Sequence, residues 1–87
     1  MRSVPEPSFH YRADVLEHLA RHGIQPTDQT RPELVREFVR DLYKYEIRRL
    51  RDRMLSHQFP RDEYAARVDA LRRCYPVLAL LPRQFLE

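Results

Sequence analysis

Three groups of residues in this sequence have the types and spacing that chemistry uses. The first lies in "RADVLEHLARH", where Asp14, His18 and His22 follow at i, i+4 and i+8 and so share one side of a helix. A His pair at i,i+4 can chelate a metal, with a carboxylate as third ligand. The i and i+8 positions are ~12 Å apart along a helix axis, so the three cannot close on one ion. His18 and His22 are left as a half-site, and the sequence brings neither His10, His57 nor Cys74 to them. The expectation is two solvated histidines and no bound metal.

The second group is a basic row. Arg36, Arg40, Lys44, Arg48 and Arg51 are spaced four, four, four and three. Like charges at i,i+4 destabilise a helix by a few tenths of a kcal/mol per pair, and phosphates or carboxylates of a partner relieve that repulsion. Glu33, Glu37, Asp41 and Asp52 interleave with the row, which favours a neutralised, solvated face. Nucleic-acid binding through Arg40, Lys44, Arg48 and Arg51 is the alternative. It lacks the interleaved aromatics and the helix-turn-helix pattern that such binding favours, because Tyr45 is the one aromatic near the row.

The third group is Glu46 and Cys74. Glu46 flanks an apolar stripe and is expected to pair with an arginine of the following helix, Arg67 or Arg72, a contact that specifies packing more than it stabilises. Cys74 has no adjacent base to activate it. There is no glycine-rich phosphate loop and no paired carboxylate set. A thin helical domain also leaves little room for a concave site. The sequence therefore points away from an enzyme and implies no cofactor.

The elements that hold these groups follow from periodicity and punctuation. The 87 residues suit one small domain. A single Gly and seven Pro argue against β-hairpins, whose primed turns need glycine. The fold class is all-α: a three-helix domain with a long central helix and an apolar C-terminal tail. Residues 1–7, with two prolines, form a loose arm, and residues 8–87 a single helical domain. Ser8 is the expected N-cap of a helix over 8–22, with Phe9, Ala13, Leu16 and Ala20 at helical spacing flanked by Val15 and Leu19. Gly23 and Ile24 suit a Schellman stop. "TRPE" reads as a capping box for a helix over 31–56, with Thr30 as cap, Pro32 in the first turn and Glu33 closing the box. Pro60 opens a third helix over 60–75, striped by Tyr64, Val68, Leu71 and Tyr75, and Pro76 ends it. Residues 76–87 form the tail.

Magnitudes shape the packing. A compact chain of this length has a radius of gyration of ~12 Å, whereas a helix of ~25 residues is about 38 Å long. One short neighbour cannot cover such a rod, so the first helix is expected on its first half and the third on its second half. The second hairpin, through Leu50, Met54, Glu63, Tyr64, Val68 and Leu71, resembles the short helical hairpin domain called SHOCT, with "SHQFP" where that turn usually carries glycine.

The tail is strongly apolar. Leu78, Leu80, Leu81, Phe85 and Leu86 either close the chain's own core or meet another protein, since exposed apolar patches mark contact sites. These observations together imply a small non-enzymatic protein working through protein–protein contacts, with a homodimer as one form of that contact. Leu78, Leu81, Phe85 and Leu86 are the main contact residues, with Tyr43 and Tyr45 as secondary ones. A net charge of +3 is weak support for a nucleic-acid partner. One cysteine and no apolar run of membrane-span length suit a cytoplasmic protein that does not enter a membrane.

Overall fold

The computed structural model describes residues 8–87, so the expected arm over 1–7 lies outside the described residues. The chain is all-α: α1 (Ala13–Ala20), the long α2 (Pro32–Leu55) and α3 (Tyr64–Arg73). Three single 3₁₀ turns cover Arg61–Glu63, Pro76–Ala79 and Pro82–Phe85. No helix among the described residues is long and apolar enough to cross a membrane.

The first helix is shorter than its periodicity suggests, beginning at Ala13 rather than Ser8. The backbone of residues 8–12 is drawn into longer-range bonds. Phe9 N–H donates to the Asp28 carbonyl at 2.7 Å, Arg12 N–H to the Phe85 carbonyl at 2.8 Å and Glu87 N–H to the His10 carbonyl at 2.8 Å. Tyr11 and Leu86 form an isolated antiparallel bridge. An N-cap serine contributes about 1 kcal/mol, less than these bonds combined with burial of the Tyr11 ring, so Ser8 turns outward. The Tyr11 hydroxyl donates to the Thr30 carbonyl, and burial, with the nearby Glu33 carboxylate second, raises its pKa above 10.0. The buried line of α1 is accordingly Val15 and Leu19, while Leu16 is exposed.

α1 stops as expected. Gly23 has φ +74°, Ile24 N–H reaches the Leu19 carbonyl and Gly23 N–H the Ala20 carbonyl, both at 3.0 Å; this is the Schellman pair. The "TRPE" capping box does not form. Thr30 Oγ1 instead accepts from Thr27 N–H at 3.0 Å inside the connector, and Arg31 is an N-cap without a side-chain bond. Pro32 still stands in the first turn, where it has no N–H to leave unpaired.

One core forms around the first half of α2. Tyr11, Val15, Leu19, Val35, Val39, Tyr75, Val77 and Phe85 are its buried members. The tail is the filler: its first 3₁₀ turn lies along α1, and both tail turns lie along α2. Arg36 locks it there, donating through Nε to the Leu80 carbonyl at 2.9 Å and through a terminal nitrogen to the Leu78 carbonyl at 3.0 Å. α3 packs on the second half of α2, but no α3 residue is fully buried. Leu50 and Phe59 are the buried residues of that hairpin. The radius of gyration is 16.9 Å, well above the ~12 Å of a compact chain. The second half of α2 and α3 project from the core as a two-helix arm.

Candidate functional site

The tail is largely an internal element. Phe85 is 0% exposed and Leu78 and Leu86 are packed against the core; Leu81 alone of the four expected contact residues is open, at 50%. Of the two roles open to the tail, core filler or contact surface, Phe85 takes the first; an apolar tail after a proline has no pattern that says which way it faces. Its own polar groups decide the matter, since Arg12 and Arg36 supply donors to the tail carbonyls.

Tyr43 is also drawn inward, edge-on to Tyr75 with centroids 5.3 Å apart. Tyr75 is the hub of a small polar cluster. Its hydroxyl donates to Glu46 Oε2, and its ring stacks on His22 at 4.2 Å. His22 Nε2 in turn bonds the Cys74 carbonyl at 2.7 Å. Glu46 therefore takes a tyrosine rather than Arg67 or Arg72, because Tyr75 crosses α2 where the core ends. His22 already commits one ring nitrogen, and His18 is half-buried. No group of three His, Cys, Asp or Glu residues among the described residues is placed to hold a metal.

Two surfaces on α2 remain. The first is apolar. Leu34, Phe38 and Tyr45 are 58%, 60% and 56% exposed. At 100° per residue they fall within about 40° of one another, forming a stripe turned away from Val35 and Val39. Its start borders a shallow groove of about 320 Å³ lined by Ile24, Pro26, Thr30, Leu34, Val35 and Phe38. Leu34, Val35, Phe38 and Val39 all stand at helical spacing in the apolar pattern of α2. Nothing in the residue types of Leu34 and Phe38 separates them from Val35 and Val39, which occupy the inner face.

The second is a cleft of about 400 Å³ between α2 and α3. Arg49, Arg53, Arg67 and Glu46 bring charge to it, and Leu50, Ala70, Leu71 and Cys74 complete the wall. The guanidinium of Arg67 lies 4.1 Å over the Phe59 ring and that of Arg53 lies 5.7 Å from it. Arg67 Nε is buried with no hydrogen-bond partner, although a terminal nitrogen reaches Glu63 at 3.2 Å. Residues 44–74 carry nine basic and five acidic side chains, against seven and eight in the rest of the chain. The whole positive excess therefore sits on the projecting arm.

The basic row lies on a third face, with Arg40, Lys44, Arg48 and Arg51 exposed. Among the described residues none of these four forms an ion pair, and neither do Glu33, Glu37, Asp41 and Asp52. The interleaved acids sit near the row without holding it, as expected where pairing two long solvated side chains costs entropy and returns little. Arg36, counted with the row by spacing, belongs to the tail instead. No family model, curated protein or solved structure matches this chain.

Proposed function

We propose that the protein is a non-enzymatic helical module that works through protein–protein contact, with a second copy of itself as the first partner. The observation that carries this reading is the exposed stripe Leu34–Phe38–Tyr45, which flanks the face of α2 that completes the core. Apolar surface gathered in this way marks contact sites, and large aromatic residues are the favoured anchors at interfaces. Charge supports a second copy as occupant. The first half of α2 carries Glu33, Glu37 and Asp41 against Arg36 and Arg40, a net −1, and the second half Lys44, Arg48, Arg49, Arg51 and Arg53 against Glu46 and Asp52, a net +3. An antiparallel pairing of two α2 helices sets acidic half against basic half while Phe38 and Tyr45 meet near the axis, the self-complementarity that a two-fold dimer requires.

Light scattering over a concentration series tests the reading. The expected result is a dimer that Phe38→Glu converts to a folded monomer. A strictly monomeric wild-type chain at every concentration would overturn the dimeric form. Nucleic-acid binding is the second reading, favoured by the open and unpaired row Arg40, Lys44, Arg48 and Arg51. Its signature is retention on duplex or single-stranded probes that falls steeply with salt. No retention at low salt ends it.

A further inference from the structure

We infer that the cleft between α2 and α3 is a binding site for a phosphate group, carried by a small phosphorylated molecule or by free phosphate. Three guanidiniums line one cleft of about 400 Å³, a volume within the range of small-ligand pockets. Arg53 and Arg67 both approach the Phe59 ring, which places their charged carbons within about 10 Å of each other. Like charges so close repel, and only one carboxylate lines the cleft with them. That carboxylate, Glu46, accepts the Tyr75 hydroxyl, while Glu63 holds one nitrogen of Arg67 from outside the cleft lining. Neither Arg49 nor Arg53 has an ion-pair partner among the described residues.

Arg67 Nε is closed off from solvent, so an anion in the cleft would be met by the terminal nitrogens of the three guanidiniums. Guanidinium is the side chain best matched to phosphate oxygens, because its planar fork donates in pairs. A phosphate monoester carries close to two negative charges at neutral pH, which suits a cleft with this excess of arginine over carboxylate. The remaining wall, Leu50, Ala70 and Leu71, is apolar and leaves room for an organic body beyond the phosphate.

The site shares Arg49 and Arg53 with the basic half of α2, and the Arg49 guanidinium lies 6.0 Å from the Tyr45 ring, so the titration is repeated on Phe38→Glu, which breaks the proposed dimer and leaves the cleft residues in place. The site is distinct from the basic row, which gives the control. Inorganic phosphate and phenyl phosphate would each be titrated into the ¹⁵N-labelled full chain at constant ionic strength, with chloride as the reference anion. The expected result is shifts concentrated at Glu46–Arg53 and Arg67–Cys74. Arg53→Gln should weaken binding at least tenfold and Arg49→Gln severalfold, both with unchanged circular dichroism, while Arg40→Gln on the other face leaves affinity as it was. Tighter binding of phenyl phosphate assigns the apolar wall to the ligand's body, and equal affinities assign the site to free phosphate. Two results overturn the inference: no saturable shifts in the cleft with either anion, or a loss from Arg40→Gln as large as that from Arg53→Gln.

Discussion

α2 passes through two unlike neighbourhoods. Around its first half, Phe85, Val39 and Leu19 have no exposed surface, the tail carbonyls of Leu78 and Leu80 are held by Arg36, and α1 ends on the chain's only glycine. Around its second half, α3 buries no residue fully, Arg67 keeps an unpaired donor, and α2 ends with His57 at φ 60°, in the region that favours glycine. Both halves use the same helix, so the difference comes from what packs on it. The core half is covered from two sides, by α1 and by the tail. The arm has a single neighbour, which leaves Leu50 and Phe59 as its buried residues and each of them partly open.

The first consequence is a stability gradient, and the largest predicted effect tests it. A chain of this size has a total stability of about 4–13 kcal/mol. Phe85→Ala should remove about 3–5 kcal/mol, lower the denaturant midpoint of the whole chain and raise amide exchange everywhere. Phe59→Ala, in the arm, should cost about 1.5–3 kcal/mol and raise exchange only over residues 47–73. Native-state hydrogen exchange separates the two. A Phe59→Ala variant whose α1 amides exchange as fast as its α3 amides would show that the molecule opens as one unit and that the gradient is absent.

The same asymmetry decides what could be read from the sequence. α2 was legible because its apolar periodicity is long and Pro32 marks its start. The Gly23 stop was legible because only one glycine was available to make it. The early residues expected in α1 were not, since Phe9 and Ala13 sit at helical spacing while the N–H groups of Phe9 and Arg12 bond the carbonyls of Asp28 and Phe85, 19 and 73 residues away. Tyr11 and Val77 were missed as core residues for the same reason: each is buried by a segment distant in sequence. On α2, spacing alone grouped Leu34 and Phe38 with Val35 and Val39, because an apolar band this wide has room for an inner and an outer edge. The cleft arginines come from two helices, and no local pattern joins Arg49 and Arg53 to Arg67.

A middle-sized effect separates arginines that look alike in sequence. Arg36 and Arg40 are one turn apart. The first donates to two tail carbonyls and the second is exposed. Arg36→Met should cost about 2–3 kcal/mol, since it strips a charged donor from two carbonyl acceptors. Arg40→Met should stay within about 0.5 kcal/mol of wild type, as surface changes without partners do. Urea melts with an unchanged slope measure both. Equal costs would mean that the tail is held by its apolar contacts alone.

The smallest effect compares the two helix ends directly. α2 closes with the same bond pair as α1: Gln58 N–H to the Arg53 carbonyl and His57 N–H to the Met54 carbonyl, both at 3.0 Å. The left-handed residue is Gly23 in one case and His57 in the other. A side chain in that conformation costs roughly 1–2 kcal/mol, of which part returns because glycine loses more freedom on folding. His57→Gly should therefore stabilise the chain by about 0.5–1 kcal/mol, and Gly23→Ala should destabilise it by about 1 kcal/mol. No atom lies within 4 Å of a methyl group added at Gly23, so that cost comes from the backbone alone. Because the arm opens more readily than the core, the gain at His57 should appear chiefly as slower exchange in α3, with a smaller shift in the global midpoint. A His57→Gly variant that melts no higher and exchanges no slower would mean that the histidine side chain makes up for its backbone, and the arm would then be better built than its exposed surface suggests.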